Sequence, residues 1–177
     1  ESFVVGGWVR DLLLNNKNKK DIDFVCIGSG IKLAREVHNL IPNSKISTYS
    51  NFGTALVSCE DINYEFIGAR KESYRENSRN PIIENGSLED DQKRRDFTIN
   101  CLYVKLVGEN YGKLLDPFNG LIDLKNKIIK TPLDPGKTFS DDPLRMIRAI
   151  RFSTQLNFEI CHKTLQSISK NNQRIKI

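Results

Sequence analysis

The sequence predicts a chain that mixes β-strands with α-helices and becomes wholly helical towards its C-terminal end. Three observations predict this. Several short runs alternate apolar and polar residues at a period of two, as half-buried strands do. Between them stand stretches with apolar residues at helical spacing, flanked by capping residues or prolines. From Ser140 onward the strand-like runs stop and only helical patterns remain.

In order, "SFVVGGWVRDLLL" reads as a short strand, a Gly-Gly turn and a helix with Trp8, Val9, Leu12 and Leu13 on its apolar side. "NNKNKK" is a polar connection and "DIDFVCIG" a second strand. "GSG" at 28–30 is a tight turn, since it lacks the third glycine of a dinucleotide fingerprint. "SGIKLAREVHNLI" sets Ile31, Leu33, Ala34, Val37, Leu40 and Ile41 at helical spacing, and Pro42 stops the helix. "GTALVSC" and "INYEFIGA", joined by Glu60 and Asp61, form a hairpin. Residues 71–93 are polar, contain Pro81 and Gly86, and read as one long loop, with Tyr74, Arg75 and Arg79 either in contact with RNA or solvated.

Farther on, "RRDFTINCLYV" begins a short helix that leads into a strand. A second hairpin turns around residues 108–112, and "NGLIDLKNKIIKTP" gives a short helix and another strand. "SDDPLRMIRAIRFSTQL" and "HKTLQSISKN" are helices; Ser140 or Asp141 caps the first, with Pro143 in its first turn.

Composition bounds the function. A chain of 177 residues, 38% hydrophobic and 28% charged, fits a soluble globular protein of one sizeable domain, or of a domain with a smaller appendage. No apolar run approaches the roughly 20 residues of a membrane helix, and "ESFVVGGWVRD" has no basic start of a signal peptide. The absence of an initial Met and the ending "NNQRIKI" predict a fragment at both ends. Cys26, Cys59, Cys101 and Cys161 have no close spacing, which argues against zinc and for free thiols in a reducing, cytoplasmic compartment. His38 and His162 have no partner pattern and are expected at the surface. The net charge of +5 favours an anionic partner such as RNA or nucleotides.

The chemistry is concentrated in "KKDIDFV". On a strand, Asp21 and Asp23 share one face while Ile22 and Phe24 share the other. Two like charges side by side need a compensating cation, and a divalent metal is the strongest candidate; a solvated strand face is the alternative. Glu65, between Tyr64 and Phe66, is the candidate third carboxylate. Upstream, Gly6-Gly7 lets a phosphate approach backbone N–H groups, and Arg10 adds a charge-assisted contact. Asp11 is expected to orient a neighbouring basic side chain.

Together these residues resemble a known family. "GGWVRDLLL…KDIDFV" is similar to the signature of DNA polymerase beta-like nucleotidyltransferases, in the class II branch of tRNA CCA-adding enzymes and bacterial poly(A) polymerases. "RRDFTINCLY" at 94–103 and "DDPLRMIRAIRF" at 141–152 resemble two further family segments in the expected order, joined by "LLDPFNGLIDLKNKIIKTP".

The resemblance implies an α+β fold: a catalytic head over residues 1–138, with a mixed sheet flanked by helices, and the start of a helical neck over 139–177, without body and tail. It implies that Asp21 and Asp23 bind two Mg²⁺ ions, with Glu65 a third catalytic carboxylate. Gly6, Gly7 and Arg10 would hold the triphosphate, and Arg95 and Asp96 would contact the nucleotide. Asp142 and Arg145 would read the base edge, while Arg148 and Arg151 complete the pocket. Their spacing of three sets them along one stripe, with Leu144, Ile147, Ile150 and Phe152 packing on the other side. The implied activity is template-independent addition of CMP and AMP from CTP and ATP to the 3′ end of tRNA or another RNA, without an obligate protein partner. Poly(A) synthesis and partial CC- or A-addition are alternatives. An antibiotic or protein nucleotidyltransferase and a non-catalytic RNA-binding module are more distant ones.

Overall fold

The computed structural model describes residues 1–16, 20–75, 78 and 80–176. The first apolar run forms β1 (Ser2–Val5), which turns through Gly6 into α1 (Gly7–Leu13). β2 (Asp21–Cys26) carries the aspartate pair. α2 (Gly30–Leu40) starts at Ser29, whose Oγ accepts from the Lys32 amide. β3 (Lys45–Tyr49), β4 (Thr54–Cys59) and β5 (Ile62–Gly68) follow as an antiparallel meander. Then come β6 (Arg70–Ser73), β7 (Ile82–Asn85), α3 (Leu88–Lys93), β8 (Tyr103–Lys105) and β9 (Leu114–Leu115). The chain continues through α4 (Gly120–Lys125), β10 (Ile128–Ile129), α5 (Pro135–Asp141), α6 (Leu144–Leu156), β11 (Glu159–Ile160) and α7 (His162–Asn171).

Seven strands form a mixed sheet in the order β3-β4-β5-β2-β1-β8-β9, in which β2 and β5 are the parallel pair. The crossover between them carries α2, whose Ala34 packs with Ala55, Val57 and Phe66. The start of α2 lies so close to β5 that a Cβ on Gly30 would stand 2.7 Å from the Gly68 nitrogen. Ile22 and Phe24 face the core that holds Val4, Val9, Ala149 and Phe152. On the opposite face, Phe3, Val5, Val25 and Tyr103 form a second core. Strand register aligns Tyr103, Val5, Asp23 and Glu65 in one row across β8, β1, β2 and β5. The fold is α+β, a mixed sheet flanked by helices.

Both expected hairpins are present, β4–β5 and β8–β9. Other expectations are corrected. Residues 71–93 are not one loop: β6 and β7 pair as a hairpin, and α3 follows. A capping box between Ser87 and Asp90 starts α3 inside that polar stretch. Tyr74 is half-buried, and Arg79 lies outside the described residues. The α1 stripe is also different, because Leu12 and Leu13 are exposed while Arg10 and Asp11 are buried beside Val9. The last part breaks at Asp142: Asp134 caps α5, Asp142 is extended and its Oδ1 accepts from the Leu144 amide, and Ser140 and Asp141 end α5. α6 buries Arg145, Met146, Ala149 and Phe152, leaving Ile147 and Ile150 exposed. That inversion is possible because the Arg145 guanidinium finds a backbone carbonyl inside. β3 and β11 have no counterpart in the sequence reading. Cys26 and Cys101 are buried and Cys59 and Cys161 half-buried, all free; His38 is half-buried against Ser44.

Candidate active site

A cleft of about 270 Å³ opens where the β1–α1 turn meets the start of β2. Gly6 turns there with φ +73°, a left-handed conformation that favours glycine. A Cβ at Gly6 would stand 3.3 Å from both Arg95 Nη1 and Asp23 Oδ2. The glycine therefore leaves open the point at which a guanidinium and a carboxylate converge.

Asp21 and Asp23 project from the same face of β2, as the period of two requires. Asn63 Nδ2 donates to Asp21 Oδ1 at 2.9 Å. Burial pushes the Asp23 carboxyl up, against the pull of Arg95 and with the help of Asp21. Glu65 sits beside Asp23 in register and faces solvent at its edge. The atoms crowding it, then the charges of Asp23 and Asp21, push its carboxyl up despite Arg70 and Arg94. Among the described residues no three His, Cys, Asp or Glu side chains converge as a ready metal cage. Two adjacent carboxylates on one strand face nonetheless fit a hard cation such as Mg²⁺, which takes one or two carboxylates and fills its remaining positions with water and phosphate oxygens.

Four arginines and four aspartates line the cleft: Arg10, Arg95, Arg148, Arg151, Asp11, Asp21, Asp23 and Asp96. Arg10 is buried and grips Asp11 through Nε at 2.8 Å and Nη2 at 2.9 Å, while Nη1 donates to Asn100 Oδ1 at 2.8 Å. Asp96 accepts from the Phe97 amide and from Asn100, and its other oxygen takes Arg148 Nε at 2.8 Å and Nη2 at 2.6 Å. The guanidiniums of Arg10, Arg148 and Arg151 stand 5.0, 5.2 and 4.6 Å from the centre of the Phe152 ring. One phenyl ring thus stands among three cations beside the acidic wall.

The structure gathers Gly6, Gly7, Arg10, Asp21, Asp23, Arg95, Asp96, Arg148 and Arg151 in this cleft. It places Arg145 in a neighbouring pocket of about 210 Å³ with Glu72, Tyr74, Arg94 and Asp141. There Arg145 Nη2 donates to the Arg94 carbonyl at 2.7 Å and lies 3.4 Å from the Tyr74 hydroxyl, while Asp142 Oδ2 is 3.9 Å from Arg145 Nε. Neither Asp142 nor Glu65 lines the first cleft. Sequence reasoning missed Trp8, Asn100, Phe152 and Gln155 as lining residues. The "FTIN" run gave a signal for Asn100, a polar residue closing an apolar turn, but none revealed the others.

Residues 2–130 match the family model described as the poly A polymerase head domain. The chain belongs to that family. An A-adding tRNA nucleotidyltransferase of Aquifex aeolicus (strain VF5) is 41% identical over 166 residues, covering 92% of this chain and 19% of the relative. A CCA-adding enzyme of Lactobacillus helveticus (strain DPC 4571) is 41% identical over 180 residues, covering 99% and 42% respectively. A crystal structure of a tRNA nucleotidyltransferase with a primer tRNA and an incoming ATP analog superposes with a TM-score of 0.81 at 36% identity, over 97% of this chain and 46% of that one. This head-domain chain therefore spans less than half the length of each of these relatives.

Proposed function

We infer that the chain is the catalytic portion of a template-independent RNA nucleotidyltransferase. It adds CMP and AMP, from CTP and ATP, to the 3′ end of tRNA and releases pyrophosphate. The observation that carries this reading is the convergence at Gly6, where the Asp23 carboxylate and the Arg95 guanidinium face one open point. The relatives named for A-addition and CCA addition support the choice of substrates.

In this reading Asp21 and Asp23 hold magnesium, and Glu65 adds negative charge beside them. When bound, magnesium acidifies the attacking 3′-hydroxyl and neutralises charge on the reacting phosphate. The Gly6 turn admits the triphosphate to close range of the backbone. Arg95, Arg148 and Arg151 orient its oxygens, while Arg10, locked by Asp11 and Asn100, shapes the floor. Arg145 lines the adjoining pocket and Asp142, 3.9 Å from its Nε, joins it in reading the base edge, with acceptor and donors that suit the exposed edges of cytosine and adenine. The head extends to about residue 138, consistent with a family match that ends at residue 130, and α6 and α7 begin the neck. A cytoplasmic setting, where thiols stay reduced, belongs to the same reading.

The test is Mg²⁺-dependent incorporation of labelled CTP and ATP into tRNA lacking its CCA end by the full-length protein. Asp21→Ala and Asp23→Ala are expected to abolish incorporation while circular dichroism shows the fold retained. Normal turnover in either variant would refute the assignment. Sequencing the 3′ ends of the products separates CCA addition from addition of A alone.

A further inference from the structure

Asp91 carries no role in the site described so far, yet it is fully buried and ionised among arginines. A buried charge costs several kcal/mol unless its partners are well placed. Here the partners are complete. Oδ1 accepts from Arg94 Nε at 2.9 Å and Nη2 at 2.5 Å. Oδ2 accepts from Arg95 Nε at 3.2 Å, Arg95 Nη2 at 3.1 Å and the Tyr103 hydroxyl at 2.8 Å. The Tyr103 oxygen in turn accepts from Arg95 Nε at 2.6 Å.

This arrangement uses up one edge of the Arg95 guanidinium and directs the other. Nε and Nη2 are engaged by Asp91 and Tyr103, and Nη1 is the nitrogen that faces Gly6 beside Asp23. The tyrosine ring is itself fixed, edge-on to Phe3 with centroids 6.3 Å apart and with Arg95 over its face at 5.1 Å. Strand register sets Tyr103 in the same row as Asp23, two strands away. The other oxygen of Asp91 reaches the second pocket. It holds Arg94, whose carbonyl accepts from Arg145 and whose Nη1 lies 3.4 Å from Glu72.

We propose that Asp91 and Tyr103 are positioning residues that aim Arg95 Nη1 at the phosphate site beside Asp23, and that Asp91 alone also sets the Arg94–Arg145 wall of the adjoining pocket. The proposal rests on the nucleotidyltransferase reading for what Arg95 touches, but the aiming is a property of the fold. Helix spacing supports it, since residues three and four beyond Asp91 lie on its own side of the helix end. Removing the tyrosine oxygen takes away the shortest of the bonds on Arg95 and leaves it charged, held only by its two longer bonds to Asp91. A displacement near 1 Å at such a contact costs up to about a hundredfold in rate.

The experiment uses Tyr103→Phe, Asp91→Asn and Arg95→Lys in the full-length protein, singly and combined. Tyr103→Phe is expected to lower kcat/KM for CTP and ATP equally, by about tenfold. Asp91→Asn should lower it further and change the preference among the four NTPs. In the Arg95→Lys background Tyr103→Phe should cost less than about twofold, because the group it aims is gone, while Asp91→Asn should keep its effect on NTP preference through Arg94 and Arg145 and lose the rest. Losses that multiply fully in that background would overturn the proposal. A second readout is independent of activity: the Arg95 Nε–H resonance should be resolved and protected from solvent exchange, and lose that protection in both variants. An unchanged resonance also overturns it. If Asp91→Asn does not fold, Tyr103→Phe decides. If the unmodified protein incorporates no NTP, the functional reading falls and the resonance alone decides the aiming.

Discussion

At the scale of single residues, Asp23 sets function against stability. Burial raises its carboxyl pKa, with Asp21 adding to the rise and Arg95 opposing it. An acid whose folded-state pKa lies above its unfolded value destabilises the fold at neutral pH. That burden is relieved as pH falls through the raised value and is gone near the unfolded value of about 3.9. Asp23→Asn should therefore unfold at a higher temperature than the unmodified, metal-free protein at pH 7, and the gap should close on acidification. Asp91 behaves oppositely. Burial pushes its carboxyl up, but Arg95 and Arg94 outweigh that and hold it low. Its stabilisation is present above about pH 4 and lost as pH falls through its depressed value. As pH falls from 7 the melting temperature is thus expected to rise first and then, below about pH 4, to decline. Added Mg²⁺ should raise the melting temperature of the unmodified protein and not that of Asp23→Asn. A lower melting temperature for Asp23→Asn at pH 7 would contradict this account.

At the scale of elements, α3 converts a local cap into site geometry. The Ser87 hydroxyl accepts from the Asp90 amide, and the Asp90 carboxylate accepts from the Ser87 amide. The six residues so started carry Asp91 and lead into Arg94 and Arg95, which line the second and the first pocket respectively. Ser87→Ala should cost about 1 kcal/mol in denaturant unfolding and weaken CTP and ATP binding together. An unchanged nucleotide affinity with the same stability loss would uncouple the helix from the site. α3 also shows where sequence reasoning stopped. Its box is written in "SLED", but a polar surface over 71–93 gave no apolar stripe, so the pattern read as loop. β3 went unseen for a related reason: its residues are mostly exposed at a sheet edge, with little alternation. Where one face had to be buried, as in β2, β4 and β5, the period of two revealed the strand and the face of its charges. α6 was legible as a helix but not by face. Periodicity assigns isoleucines to the inside, whereas tertiary partners on Arg94 and Glu72 bury Arg145 instead. Gly6, Asp21 and Asp23 were legible because phosphate and cation chemistry require those types there, whereas Arg95 was legible only through the family resemblance of "RRDFTINCLY". Phe152, an ordinary apolar residue until three guanidiniums surround it, was not.

At the scale of the whole molecule, charge divides the nucleotide site from the remaining surface. The cleft carries four arginines against four aspartates, so it is balanced, and the net charge of +5 lies outside it. A balanced cleft recognises a nucleotide by the placement of its charges, whereas a diffuse basic surface attracts RNA phosphates by counterion release. The two affinities should therefore respond differently to salt. For residues 1–177 alone, raising monovalent salt from about 50 to about 200 mM should weaken tRNA binding by at least about tenfold, given several phosphate contacts. Over the same range Mg²⁺–CTP affinity should change by less than about threefold, because the interacting groups are partly buried and screened less. The CCA-adding relative from Lactobacillus is more than twice as long as the matched segment, so residues 1–177 should also hold tRNA more weakly than that relative does. Tight, salt-insensitive tRNA binding by residues 1–177 would instead place specific RNA contacts within the head itself, and the surplus positive charge would need another role.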